Sequence, residues 1–490
     1  MKKIQDNRIN PIFAVLVAYM LGYFLVNDLN LRYIYVYLLL GVMLLIGIFM
    51  DGVIRPRMKI RDILFEIKQR LSPMKLCFLF LSAVIAVYSV LPNSDLDYEI
   101  ISTTISMLVL TAYLVFSNPS VKMVKKAFAA IYIVAAVFSI YSIYVRINPA
   151  FYWRQIFPLL GSYTQERALF LMPLGYGVPI GGSTSYGIYV ITIAFFINIG
   201  QIYLYKGDRK LTETVFLIAG NVLYLTAILL FNRRSEMLSL LGTLLVVSII
   251  FIAPYGTKEL KHRLISFGST ILLMVCVVVF LAQMGYLGRY SATLENFIPD
   301  MSKTDVVDTE APTVQPVTTE PSATEPSATE PLVTLPSEPE INIPKTELSN
   351  GRFTLWKSGW SLFTEKPVVG IGWMQFRKYS GMGEDYVHNT YIQWLCEVGM
   401  IGFILIIVPI LIMLTMTLAH TIRLIRNCKA ASFEVRLINF VALSVHGYFL
   451  ALSLVDPTFY HLYFFVFYSF IIILADTALC YDVQSKEREC

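Results

Sequence analysis

Charged residues are scarce in this chain of 490 residues, because Asp, Glu, Lys and Arg together make up only 15% of it. A soluble globular domain carries about a quarter of charged residues. Hydrophobic residues instead reach 56%, and the mean hydropathy is +0.63. The composition therefore excludes a soluble domain, and the small net charge of +5 gives no reason to expect a nucleic-acid partner.

Cysteine is scarce too, with six residues that are spread along the chain. Their spacing fits neither a disulfide framework nor a zinc site. We therefore expect no structural metal and no cofactor.

Apolar runs of about 20 residues, enough to cross the hydrocarbon core of a bilayer, recur along the chain. The sequence predicts an all-α polytopic membrane protein with about twelve transmembrane helices. The predicted spans are 11–27, 32–50, 74–91, 99–117, 126–145, 184–204, 211–231, 235–253, 264–286, 399–420, 436–455 and 460–479.

Lysine and arginine concentrate in alternate loops between these spans, as in the basic stretch 55–70 and at the N-terminus. Because positively charged loops stay on the cytoplasmic side, both termini are predicted to be cytoplasmic. The same alternation of loops across the membrane places the large loop between spans nine and ten outside the cytoplasm. The expected location is a bacterial cell membrane.

One part of that large loop is a low-complexity spacer with a tandem TEPSA repeat. Such a Thr/Pro/Glu-rich segment buries no core and is predicted to be disordered. The predicted organisation is N-terminal membrane helices (1–150), central helices with outer-turn arginines (151–286), the insertion (287–350), an extracytoplasmic catalytic loop (351–398), and C-terminal helices with a cytoplasmic tail (399–490).

Two adjacent arginines, Arg233 and Arg234, fall on a very short outer turn. Glu236 follows two residues after Arg234. Positive charge there opposes the usual topology and is costly unless it is paired or functional. Since a guanidinium binds phosphate through a planar fork of donors, the pair suggests an anion site. A local Arg–Glu pair, or side chains reaching the headgroups, is the alternative.

The segment 351–402 combines GRFTLWKSGWSLFTEKPVVGIGW with HNTYIQWLCEVGMIG. It resembles the signature region of the O-antigen ligase and polymerase family, which has an arginine–tryptophan helix, a proline–glycine turn and a His-Asn pair before an aromatic helix. Arg234 resembles the outer-turn arginine of that family. Arg233 departs from its pattern, in which a small polar residue is usual.

The resemblance implies a C-type membrane glycosyltransferase fold and a reaction on the extracytoplasmic face. The donor would be an oligosaccharide on undecaprenyl pyrophosphate, and the acceptor a glycan hydroxyl. Other implied partners are the bilayer, and a flippase and a chain-length regulator. The implied catalytic residues are His388 and Arg234. The donor pyrophosphate would contact Arg233, Arg234 and Arg352. The residues implied in acceptor binding or in support of the site are Asn389, Tyr391, Glu397 and Trp356.

The residues leave alternatives open. Asn389 can simply cap the helix that follows it, and Trp356 can be an interfacial anchor. Polymerisation of lipid-linked repeat units, for a capsule, exopolysaccharide or lipopolysaccharide, is the leading prediction. A ligase or protein O-oligosaccharyltransferase with the same chemistry is the runner-up, and a polysaccharide or lipid transporter is the alternative from another class. The pyrophosphate requires no metal if arginines neutralise it.

Overall fold

A computed structural model describes residues 61, 71–91, 121–181, 183–204, 210–252, 257–287, 351–426, 432–460, 465 and 467–476. Within these ranges the regular structure is helical, without extended strands. The helices are α1 Pro73–Val90, α2 Val121–Ile147, α3 Ser162–Leu171, α4 Thr184–Leu204, α5 Leu211–Leu230, α6 Arg234–Ile252, α7 Thr257–Gln283, α8 Arg352–Glu365, α9 Phe376–Ser380, α10 Thr390–Arg426, α11 Phe433–Leu452 and α12 Phe467–Asp476.

The all-α membrane architecture predicted from the sequence is confirmed. Eight of the described helices, α1, α2, α4 to α7, α10 and α11, are long and apolar enough to cross a bilayer. Each coincides with a predicted span, and α12 is a shorter apolar helix within the predicted span 460–479. The predicted spans 11–27, 32–50 and 99–117, and almost all of the insertion, lie outside the described residues, so the total of twelve stays a prediction.

The centre of the bundle is α4, whose apolar side chains are buried all round. It packs against α2, α5 and α11. Its contact with α11 is aromatic: the rings of Tyr189 and Phe196 lie 6.3 and 5.9 Å from that of Tyr448, both edge to face. A helix that is hydrophobic on every side belongs in such a core, and α4 thereby fixes the helices that carry the polar turns.

The long helix α10 is broken at Gly399, where the backbone leaves helical geometry with φ of 66°. This break coincides with the predicted start of the tenth span. The piece before it, 390–398, packs against α8, and the longer piece after it runs beside α1 and α11. Residues 390–398 therefore belong structurally to the loop region that precedes the span.

Two glycines allow the turn after α8 to cross the break in α10. The amide of Gly372 donates to the carbonyl of Glu397 over 2.9 Å, and that of Met400 donates to the carbonyl of Pro367 over 2.8 Å. A Cβ on Gly370 would lie 2.3 Å from the Glu397 carbonyl, and one on Gly399 would lie 2.4 Å from the Val368 carbonyl. Only glycine fits at these two positions.

We expect Gly370→Ala to lower the free energy of unfolding by about 1–3 kcal/mol more than Gly381→Ala, because a methyl group is forced into packed backbone. Gly381 is the matched control, since its φ of 64° is also positive but nothing lies within 4 Å of an added Cβ. Thermal unfolding of the purified variants in detergent measures the difference. Equal losses would show that positive φ, and not the crossing, is the constraint.

Candidate active site

Arg233 lies at the turn between α5 and α6 and is largely buried, with 16% of its side chain exposed. Its guanidinium contacts two carboxylates, Oε1 of Glu236 and Oδ2 of Asp456, each at 2.5 Å. It also donates to the hydroxyls of Thr184, at 3.2 Å, and Ser185, at the start of α4. The arginine therefore joins three separate parts of the chain.

The guanidinium of Arg233 stays protonated in spite of its burial. Burial alone would lower the pKa of its guanidinium, but the carboxylates of Glu236 and Asp456 outweigh that effect, so the pKa lies well above its ordinary value. Removing either carboxylate would leave a buried cation with one counter-charge fewer.

Asp456 belongs to the segment 453–460 that follows α11, and this segment also receives the start of α10. The carbonyl of Asp456 accepts from the Thr390 hydroxyl at 2.8 Å, and the Thr390 amide donates to the Ser453 carbonyl at 2.8 Å. The amide group of Asn389 donates to the Leu454 carbonyl at 2.9 Å. One short segment thus connects the Arg233 turn to the residues that flank His388.

Asn389 is the helix cap that the sequence offered as an alternative. Its Oδ1 accepts from the amides of Tyr391 and Ile392 at 3.0 and 3.1 Å, as a residue at the N-cap does. The Tyr391 hydroxyl donates to the Leu450 carbonyl at 2.9 Å. Both side chains support the position of α10, immediately after His388.

His388 is half-buried and has a φ of 56°, in the left-handed region that a non-glycine residue seldom adopts. Its carbonyl accepts from Nε1 of Trp356 at 3.4 Å, which ties it to α8. Nδ1 of its ring is buried and makes no hydrogen bond to any described residue. The backbone therefore fixes the position of the imidazole, whose Nδ1 keeps an unused hydrogen-bonding capacity.

The charges around His388 set its protonation state. Burial lowers the pKa of the imidazole; the negative charges of Asp456 and Glu384 raise it, and the positive charges of Arg352 and Arg233 lower it further. The net pKa lies below the ordinary histidine value, so the ring is neutral near pH 7. The same interactions show that His388, Arg352 and the Arg233–Asp456 pair share one electrostatic environment.

The other predicted arginines, like Arg233, are partly buried. Arg352 is the first residue of α8 and is half-buried, and Arg234 is the first residue of α6 and is also half-buried. Both helices therefore begin at an arginine, at the end of the bundle that holds His388.

Glu397 is fully buried and supports the loop between α8 and α10. Its carboxylate accepts from the amides of Met374 and Phe376, at 2.9 and 3.3 Å, and from Nε2 of Gln393 at 3.2 Å. With 0% exposure it has no surface for a sugar. Of the two roles predicted for Glu397, the geometry favours support over glycan contact.

The site contains one residue that the sequence did not reveal, Asp456. It lies in a short turn between two predicted spans, where an aspartate before a proline is an ordinary turn residue. The available signal was its position on a predicted outer turn, at the same end of the bundle as Arg233 and Arg234.

The sequence model of the family described as O-antigen ligase matches residues 219–407. The match covers less than half of the chain and supports an O-antigen ligase and polymerase family assignment for this region. It contains the Arg233–Arg234 turn, Arg352 and His388, whereas Asp456 lies beyond its end. No curated protein matches the chain. The O-antigen ligase domain supports a role in glycan biosynthesis at a membrane.

We expect Asp456→Asn to lower the free energy of unfolding by about 1.5–3 kcal/mol, because Arg233 loses a charge-assisted hydrogen bond while Glu236 still neutralises it. Asp385→Asn is the matched control, since Asp385 pairs with Arg377 at 3.3 Å with both side chains more than half exposed. That exposed pair is worth about 0–1 kcal/mol. Chemical unfolding of the two purified variants checks the contrast, and equally small losses would show that Asp456 is not needed to hold the turn.

Proposed function

We propose that the protein transfers glycan units from undecaprenyl pyrophosphate to a sugar hydroxyl on the extracytoplasmic face of a bacterial cell membrane. The observation that carries this proposal is a neutral histidine, His388, in the same electrostatic environment as Arg352 and Arg233, within an O-antigen ligase family domain. Such a site offers a base beside fixed positive charge. Both are needed to join a hydroxyl to a sugar and release a diphosphate.

The reaction forms one bond and breaks another. The acceptor oxygen bonds to the anomeric carbon of the donor, and the bond from that carbon to the diphosphate oxygen breaks. The hydroxyl proton passes to the imidazole of His388, and the electron pair of the broken bond stays on the diphosphate. A neutral imidazole is the form that can accept this proton.

The leaving diphosphate requires positive charge that is already in place. We infer that Arg234 and Arg352 contact it, because both are half-buried and begin helices at this end of the bundle. Arg233 already faces two carboxylates, so its part in donor binding is to hold the turn that presents Arg234. Chemistry of this kind needs no metal ion, and metal independence is part of the proposal.

The remaining predicted residues act behind these groups. Trp356, Asn389, Tyr391 and Glu397 all make hydrogen bonds that fix the backbone on either side of His388. We propose that polymerisation of repeat units is the reaction and that ligation to another acceptor is the second candidate. The acceptor would reach the site from outside the cell; a flippase delivering donors and a chain-length regulator are the expected partners.

We expect His388→Ala to reduce glycan transfer by about 10²–10⁴-fold, the usual contribution of a general base. Because the pKa of His388 is lowered, its base form is present at neutral pH, and activity falls only as the pH drops through that lowered pKa. The acidic limb of the pH–rate profile should therefore lie below about 6.5, the ordinary histidine value.

Two charge variants sharpen this measurement. Arg352→Gln removes a positive charge and should move the acidic limb to higher pH, whereas Glu384→Gln removes a negative charge and should move it to lower pH. The position of the limb is read separately from the maximal rate, which Arg352→Gln also lowers. A profile that does not move in either variant contradicts His388 as the base.

Purified full-length protein incubated with lipid-linked repeat units distinguishes the candidate reactions. We expect a ladder of longer lipid-linked glycans, which Arg234→Ala abolishes and Arg377→Ala, a change at an exposed arginine, leaves intact. Transfer only to an added acceptor, such as lipid A core or a protein, would establish the ligase. If neither product forms while reconstituted vesicles move the lipid-linked glycan across the bilayer, the protein is a transporter.

A further inference from the structure

A cavity of about 300 Å³ lies beside the end of α5, where Leu230 and Phe231 line it. The end of α2, the loop before α4, the end of α5 and the residues just after α7 form its walls. It is separate from the proposed active site, whose residues do not line it. Its volume is at the small end of the range for ligand pockets, about 300–1,000 Å³.

The walls of the cavity combine an apolar part with a few polar groups. Val145, Val178, Leu230, Phe231 and Met284 contribute the apolar surface. Ser142, Arg146, Tyr176 and Tyr286 supply the polar side chains. A lipid fits such mixed walls, because its hydrocarbon chain needs no hydrogen-bond partner and its headgroup does.

Arg146 gives the cavity one positive charge. Its guanidinium lies 5.9 Å from the centre of the Tyr286 ring, which is also part of the wall. Across the described ranges, no carboxylate forms an ion pair with Arg146. An arginine in the last turn of a membrane-spanning helix reaches the depth of the lipid headgroups, and a guanidinium fork matches the geometry of phosphate.

We propose that this cavity binds a membrane lipid with a phosphate headgroup, with the phosphate on Arg146 and the first part of the hydrocarbon chain against the apolar walls. The site is distinct from the proposed donor site, because Arg234 and Arg352 do not line the cavity. The proposal concerns binding, so it does not depend on which glycan reaction the protein catalyses.

The bound lipid would contact residues that hydrogen-bond to Phe231 and Asn232, the two residues before Arg233. Asn232 has a φ of 55°, and its side-chain amide donates to the carbonyls of Gly175 at 2.9 Å and Tyr286 at 3.4 Å. The amide of Gly177 donates to the Phe231 carbonyl at 3.1 Å. Since Tyr286, Gly177 and Phe231 all line the cavity, its occupancy would stabilise the turn from behind.

Native mass spectrometry of the purified full-length chain tests the proposal with three probes: dioleoyl phosphatidylglycerol, undecaprenyl phosphate and dioleoylglycerol, which has no phosphate. We expect Arg146→Gln to weaken binding of a phosphate-bearing probe about tenfold, the loss typical of one charge-assisted hydrogen bond. Arg154→Gln is the matched control, because Arg154 is an exposed arginine in the same connection that does not line the cavity.

The outcomes separate the sources of the ligand. Arg146-dependent binding of phosphatidylglycerol identifies bulk phospholipid as the ligand, and Arg146-dependent binding of undecaprenyl phosphate alone identifies an isoprenoid carrier. Equal binding of both lipids by the wild type and Arg146→Gln overturns the proposal, as does dioleoylglycerol binding as tightly as its phosphate-bearing counterpart. Val178→Phe fills the cavity without removing the charge of Arg146, and it should weaken the binding of all three probes.

Discussion

The arrangement at the functional end of the bundle depends on the buried contact between Arg233 and Asp456. The two residues are 223 positions apart, yet their side chains meet at 2.5 Å with little exposure to solvent. A buried ion pair loses so much hydration that it seldom adds net stability, whereas breaking it is expensive. The contact with Glu236 and the hydroxyls of Thr184 and Ser185 completes the partners that make it tolerable. The ion pair therefore contributes mainly to structural specificity, because it makes the α5–α6 turn pack beside the segment that carries Asp456.

The segment that carries Asp456 transmits this constraint to His388. Thr390 and Asn389 hydrogen-bond to it, so the start of α10 is placed relative to Arg233 and not merely relative to its own helix. A second restraint acts from the other side, where Glu397 collects two backbone amides and Gly370 permits the close crossing of the chain. The left-handed backbone at His388 is the kind of local strain that such over-determined surroundings maintain.

Much of this architecture could be predicted from the sequence, because it follows from patterns within single segments. Apolar runs predicted the eight membrane-spanning helices that the structure contains. The His-Asn pair before an aromatic helix indicated a role for His388 and a helix cap at Asn389. Asp456 could not be found in this way, since its role depends on a partner 223 residues distant. The burial of Glu397 was equally hidden, because the glycine crossing that covers it involves two segments whose approach no local pattern encodes.

The adjacent arginines show why position on the turn matters more than residue type. Arg233 faces two carboxylates, and if both are ionised this cluster carries a net charge of about −1, so it cannot itself attract a diphosphate. Any attraction must come from outside the cluster. Arg234 is the first residue of α6 and Arg352 the first of α8, where the unpaired amides of a helix start add positive potential to that of the side chain. Pairing Arg233 inside the protein thus fixes the turn, and in the proposed reaction the donor contacts Arg234 and Arg352 instead.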